Sequence, residues 1–121
     1  MGLADAKLIV ATNQNDILHR ALSTGEYRVG EVAPSMSPSM DIQVSSNFER
    51  LLFDIYDRDG ARVGASMQQL RQTGTFSVDP AELTGVKKLF GAHRADEDQT
   101  LDTLKDVFDQ TGFQVDPHTA V

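Results

Sequence analysis

Lys7-Leu8-Ile9-Val10-Ala11-Thr12 is a continuous apolar run with β-branched residues, the pattern of a strand buried on both faces within a parallel sheet. Such a strand needs neighbours on both sides, and parallel neighbours need crossover helices. Few later segments read as those neighbours. The chain ends with a similar incompleteness. Phe113-Gln114-Val115 alternates like a short strand, Asp116 suits a helix N-cap, and Pro117 suits the first helical position, where no N–H is required. That helix receives only His118, Thr119, Ala120 and Val121, far fewer than the roughly 12 residues an isolated helix needs in water. Both ends therefore read as cut from a larger α/β protein. The expected class is α/β: one partial domain over residues 1–121, predominantly helical with one or two short strands.

Helical signals fill the middle. Thr12-Asn13-Gln14-Asn15-Asp16 reads as a polar loop capping a short helix that starts at Ile17 and Leu18. Residues 24–41 hold two prolines, two glycines and repeated Ser-Met pairs, so residues 24–45 are expected to form a long mobile loop. Ser46-Asn47-Phe48-Glu49 reads as a capping box, with Ser46 as N-cap and Glu49 at the third helical position. Behind it Phe48, Leu51, Leu52, Ile55 and Tyr56 fall on one helical face. Asp57-Arg58-Asp59-Gly60 breaks that helix. The next carries Val63, Met67 and Leu70 and stops at Gly74. Two more helices are expected, from Pro80 to about Phe90 and from Glu97 to Gln110, the latter capped by Asp96 and striped by Leu101, Leu104, Val107 and Phe108. The stretches QTGTFSVDP (72–80) and QTGFQVDP (110–117) echo each other as helix stop, short extended segment and helix start.

Several function classes are disfavoured at once. Eighteen acidic against eleven basic side chains give a formal charge of −7, which repels phosphate backbones and anionic membranes. Nucleic acid and membrane are not expected partners. With no cysteine, disulfides and thiolate zinc sites are excluded. Met1-Gly2-Leu3-Ala4-Asp5 lacks the charged start and apolar middle of a secretory signal, so a cytoplasmic location is expected. Asp57-x-Asp59-Gly60 fails as a calcium loop, because Ile55 would be the first ligand and Ser66 the twelfth. His19, His93 and His118 show no metal-binding spacing, and no metal site is expected. Walker, G-x-S-x-G and G-x-G-x-x-G motifs are also missing. What remains are polar stretches at element ends: Thr12 to Asp16, Ser35 to Asn47 and Asp116 to Thr119, where α/β proteins place ligands.

Those same stretches resemble a known family. Ile9-Val10-Ala11-Thr12-Asn13-Gln14-Asn15-Asp16, Ser37-Pro38-Ser39-Met40-Asp41-Ile42 leading into Ser45-Ser46-Asn47-Phe48-Glu49-Arg50, and Asp116-Pro117-His118-Thr119-Ala120-Val121 look like threonine synthase of the longer bacterial and fungal type. The resemblance covers essentially the whole chain and makes it an inner segment of the enzyme's large domain. It implies a fold type II pyridoxal-phosphate enzyme that converts O-phospho-L-homoserine and water to L-threonine and phosphate. By the same resemblance Thr12, Asn13, Asn15, Asp16, Ser39, Asp41, Asn47, Arg50 and His118 belong to the substrate region.

The family's Schiff-base lysine lies in a Ser-Phe-Lys-Asp context and its phosphate loop reads Gly-Asn-Phe-Gly. Neither occurs here, and Lys7, Lys87, Lys88 and Lys105 lie in no such context. The segment alone is therefore expected to hold no cofactor and to be inactive, with the rest of the parent chain needed to complete the fold. Arg50 suits a substrate phosphate or carboxylate, since its planar fork binds either with two bonds; the competing reading pairs it with Asp54 at i+4. A reading from a different class is a free-standing helical interaction module, completed by a partner chain.

Overall fold

The computed structural model describes residues 6–121, so the stretch Met1 to Asp5, which bears on a secretory signal, lies outside the described residues. Strand β1 (Leu8–Thr12) forms where the apolar run predicts it, and α1 (Ile17–Thr24) follows. Gly25 ends α1 at φ 84°, and a Cβ there would sit 3.1 Å from the carbonyl oxygen of Val78, so both the conformation and the space demand glycine. Directly after it comes β2 (Glu26–Arg28), inside the segment expected to be an irregular loop. A 3-10 turn follows at Pro38–Met40.

Helix α2 (Phe48–Ile55) carries the predicted apolar face, with Phe48 and Leu52 buried. Its start corrects the expectation: Asn47, not Ser46, is the N-cap, it sits in helical geometry, and no side chain caps the helix. The Ser46 to Glu49 capping box does not form, because the turn from Ser45 to Asn47 already bonds forward through its carbonyls to Phe48, Glu49 and Arg50. Helix α3 (Gly60–Thr73) is capped by Asp59 and stops at Gly74, as its sequence indicates. Between α2 and α3, Asp57 and Arg58 both take positive φ, at 52° and 64°. Arg58 gains little there, since its ion pair to Asp54 is long at 3.9 Å and exposed. Left-handed geometry costs a side-chain-bearing residue roughly 1–2 kcal/mol, partly recovered in the greater freedom glycine has when unfolded. Arg58→Gly is therefore expected to raise the unfolding free energy by about 0.5 kcal/mol in a urea titration, and a fall would show that the arginine stem is needed.

Next come β3 (Thr75–Ser77), α4 (Pro80–Leu89), β4 (Phe90–Arg94), α5 (Glu97–Thr111) and the single turn α6 (Pro117–Ala120). Asp79, Asp96 and Asp116 each cap their helix with a carboxylate, and α5 adds a reciprocal capping box between Asp96 and Gln99. The predicted strand at Phe113 to Val115 is absent, because no neighbouring strand offers it a hydrogen-bonding edge among the described residues.

Four short strands form two ribbons. β1 pairs in parallel with β4, Leu8 opposite Phe90 and Thr12 opposite Arg94. The chain crosses from one to the other through the helical middle, as a parallel pair requires. β2 pairs antiparallel with β3, Tyr27 opposite Phe76. Tyr27 stacks on Phe76 at 5.0 Å and on Phe48 at 5.1 Å, a three-ring column that joins the ribbon to α2. Around it pack Ile17, Leu22, Leu52, Tyr56, Leu83 and Val86, and this is the core. The class is mixed α/β, mostly helical with few short strands.

Candidate functional site

At the carboxyl end of β1 the chain buries three polar side chains within four positions: Thr12 is 7%, Asn13 1% and Asn15 3% exposed. Buried amides are costly unless every donor and acceptor is met. Here they are met by the serine-rich segment that follows β2. The Asn13 amide donates to Ser35 Oγ at 2.8 Å, Ser37 Oγ at 3.0 Å and Asp41 Oδ1 at 2.7 Å, sharing its two hydrogens among three acceptors. Its oxygen accepts the Asn15 backbone N–H at 2.8 Å. Asn15 in turn donates to the Ala33 carbonyl at 2.8 Å and to Asp41 Oδ1 at 2.9 Å, and accepts the Ala33 N–H at 2.8 Å, copying a strand pairing with its side chain.

Asp41 is the hub. Besides the two asparagines it takes the Ser35 hydroxyl at 2.5 Å and the Ser35 backbone N–H at 2.9 Å. Burial alone would raise its carboxyl, but the bonds from Ser35, Asn13 and Asn15 favour the charged form and together hold it below the usual carboxylate range. The segment is clasped from two further directions. Glu97, at the start of α5, accepts the Met36 N–H at 3.1 Å, and His118 of α6 accepts the Ser39 N–H through Nε2 at 3.1 Å.

These bonds and the burial within residues 24–45 make the mobility expected of that loop open to measurement. Tyr27 is 2%, Ser37 1% and Gln43 9% exposed, and the Tyr27 hydroxyl accepts the Ser45 N–H at 2.8 Å. Hydrogen exchange provides a direct check. The amides of Ala33, Ser35 and Ser45 are expected to exchange at least about tenfold more slowly than that of exposed Val32, since each ends on an internal acceptor. Uniformly fast exchange across residues 24–45 would instead bear out the mobile loop expected there.

Beside the hub lies a cavity of about 150 Å³. Thr12, Asn15 and Ser39 form its polar wall, and Ile17, Met40 and Ile42 face them. Its place, off the carboxyl end of a parallel strand, is where open α/β sheets bind ligands. The volume holds a small polar-ended group, which suits one part of a larger site.

Not every predicted site residue converges here. Asn13, Asn15 and Asp41 share the bonded cluster, Thr12 and Ser39 border the cavity beside it, and His118 bonds to Ser39; the Thr12 hydroxyl itself donates to the His93 carbonyl at 3.3 Å. Asp16 turns away to pair with Arg20 at 2.8 Å and Arg94 at 3.7 Å, and does not cap α1. Asn47 and Arg50 stand exposed on the first turn of α2, and Arg50 lines a separate shallow depression with Phe53, Asp54 and Val63. Asp54 does not pair with Arg50; it lies 3.9 Å from Arg58 in a long, exposed contact. Arg50 makes no ion pair among the described residues. Ser35, Ser37 and Glu97 complete the cluster without having been singled out. The alternating serines 35, 37 and 39 were the available signal; for Glu97, whose partner is a backbone amide 61 positions away, there was none.

Over all 121 residues the chain is 46% identical to threonine synthase of Pseudomonas aeruginosa, and it is 40% identical to that of Saccharomyces cerevisiae. It superposes on the crystal structure of pyridoxal-phosphate-bound threonine synthase from Brucella melitensis with a TM-score of 0.91 at 47% identity, over 94% of this chain. Along its whole length the chain is similar to the threonine synthases. It spans 26% of the length of the Pseudomonas relative and 25% of the Brucella chain. No protein-family model matches it.

The lysines among the described residues do not fit a cofactor anchor. Lys7, Lys87, Lys88 and Lys105 are all exposed, Lys87 is held by the Ser23 carbonyl at 2.7 Å, and none borders the cavity at the end of β1. Schiff-base chemistry needs a lysine inside a shielded site. What this segment offers is a prearranged polar wall.

Proposed function

We propose that this chain is an inner segment of a threonine synthase, and that the parent polypeptide uses pyridoxal phosphate to convert O-phospho-L-homoserine and water to L-threonine and phosphate. The reading is carried by 46% identity to a threonine synthase along every residue of the chain. Within it, the segment binds and orients substrate. Thr12 and Ser39 offer polar groups at one side of a small, mostly apolar pocket, Asn13, Asn15 and Asp41 hold that side in place, and His118 fixes its outer turn. Asp16, Asn47 and Arg50 lie beyond this wall, with Arg50 as an unpaired fork suited to a phosphate or carboxylate. A cytoplasmic location and the absence of nucleic-acid or membrane partners belong to the same proposal; no helix among the described residues is long and apolar enough to cross a membrane.

Exposed apolar residues support completion by further chain. Leu8 and Ile9 on β1, Leu89 at the end of α4, and Leu101 and Phe108 on α5 are each at least half exposed, at 53%, 53%, 57%, 50% and 53%. The decisive measurement is steady-state turnover of O-phospho-L-homoserine by the polypeptide that contains this segment. Release of phosphate with formation of threonine supports the proposal, and no turnover with cofactor bound overturns it. The 121-residue chain alone is expected to form no stoichiometric, borohydride-trappable lysine adduct with pyridoxal phosphate. One such adduct per chain would show that a lysine here is an anchor after all.

A further inference from the structure

α6 is only one turn long, yet it closes a bond across most of the sequence. His118 Nε2 accepts the backbone N–H of Ser39, 79 positions away, at 3.1 Å. The other ring nitrogen lies 2.7 Å from Asp116 Oδ1. A ring nitrogen that accepts an N–H carries no proton of its own, so the Nδ1 nitrogen carries it and donates to the carboxylate. The imidazole is therefore neutral and held in one tautomer.

Asp116 fixes more than the ring. The same oxygen accepts the His118 backbone N–H at 2.8 Å, so one carboxylate sets both the helical turn and the imidazole plane. Its bonds from the His118 side chain and backbone hold the Asp116 carboxyl below its ordinary value, which keeps it an acceptor. On the far side, Ser39 borders the cavity at the end of β1, between the Met36 amide held by Glu97 and the Asp41 hub.

We propose that His118 is a positioning residue for the threonine synthase reaction: its unprotonated Nε2, oriented by Asp116, holds the Ser39 N–H and thereby sets the Ser39-Met40 wall of the substrate pocket. It does this without touching substrate. The kinetic part of this inference rests on the threonine synthase reading; the bond itself does not.

The two are separable by experiment on the polypeptide that contains the segment, with His118→Gln and His118→Ala variants. Glutamine places its side-chain oxygen about where Nε2 lies and can accept the Ser39 N–H, whereas alanine cannot. The first readout is exchange of the Ser39 amide together with the nitrogen-15 spectrum of selectively labelled histidine. His118 should give the Nδ1–H tautomer, and Ser39 exchange should quicken about tenfold in His118→Ala but stay within about threefold in His118→Gln. The second readout is kinetics with O-phospho-L-homoserine. kcat/KM should fall about tenfold in His118→Ala and be largely rescued in His118→Gln, with the melting temperature of both variants nearly unchanged.

An Nε2–H tautomer overturns the inference, as does a Ser39 amide insensitive to both variants. Loss of turnover in His118→Gln equal to that in His118→Ala also overturns it, since that pattern means the imidazole itself meets the substrate. A wild-type polypeptide with no turnover would sink the threonine synthase reading while leaving the tautomer and the Ser39 amide to decide the positioning bond.

Discussion

Replacing Asp41 by asparagine should lower the unfolding free energy by about 2.5–6 kcal/mol, the largest loss expected from any single change in the polar cluster. The carboxylate accepts four bonds, from Asn13, Asn15, the Ser35 hydroxyl and the Ser35 backbone N–H. An asparagine oxygen can replace one carboxylate oxygen, but its NH2 group must then face a donor. At least one charge-assisted bond, worth roughly 1.5–3 kcal/mol, is lost, and an amide buried in the cluster is left short of an acceptor at about 1–3 kcal/mol more. Urea titration at neutral pH measures this directly. A change below about 0.5 kcal/mol would mean the cluster rearranges at little cost, and the prearranged wall would lose its support.

Acid should act on the same hub. The folded carboxyl lies below its unfolded value, so its contribution is fully present above the ordinary carboxylate pKa of about 3.9 and is lost as pH falls through the lower folded value. The wild-type protein should therefore lose stability on acidification in a way that Asp41→Asn does not. The difference between their pH profiles isolates this one carboxylate from the other acids of the chain.

Arg50→Lys in the parent polypeptide should reduce kcat/KM by about 10- to 150-fold while leaving folding almost intact. Lysine keeps the charge, the apolar stem and nearly the same helix propensity, so α2 should survive. It lacks only the two-pronged donor pattern, worth roughly 1.5–3 kcal/mol per bond to a charged oxygen. The structure sharpens this test, because Arg50 is exposed and does not pair with its proposed local partner Asp54. Wild-type kinetics in the variant would make Arg50 a solvated helix residue. A large drop in melting temperature would instead place it in a structural role between this segment and the rest of the parent.

The helices were legible because their signals are local. Asp96 and Asp116 cap where their spacing indicates, Gly74 stops α3, and the face of Phe48, Leu51, Leu52, Ile55 and Tyr56 packs inward as its period of 3.6 requires. Even so, locality misled at Ser46, where a capping-box pattern lost to a turn whose carbonyls had already met the α2 amides. The stripe on α5 does lie on one helical face, yet Leu101 and Phe108 remain half exposed, because what a face packs against is no property of the helix that carries it.

Strand pairing belonged to the tertiary structure. Phe90-Gly91-Ala92-His93-Arg94 has no alternation and little β-branching, and it becomes β4 because β1 offers its edge. Glu26-Tyr27-Arg28 is a strand because Thr75-Phe76-Ser77 lies beside it and Phe48 stacks on Tyr27, whereas Phe113-Gln114-Val115, with the better pattern, has no partner among the described residues and stays irregular. The polar cluster follows the same logic. From the chain alone, Asn13, Asn15, Asp41 and His118 could be singled out as polar residues at element ends. Their union was decided by bonds spanning 18 to 79 positions, and a hydrogen bond of that reach depends on where the core sets the two backbones, which no window of neighbouring residues contains.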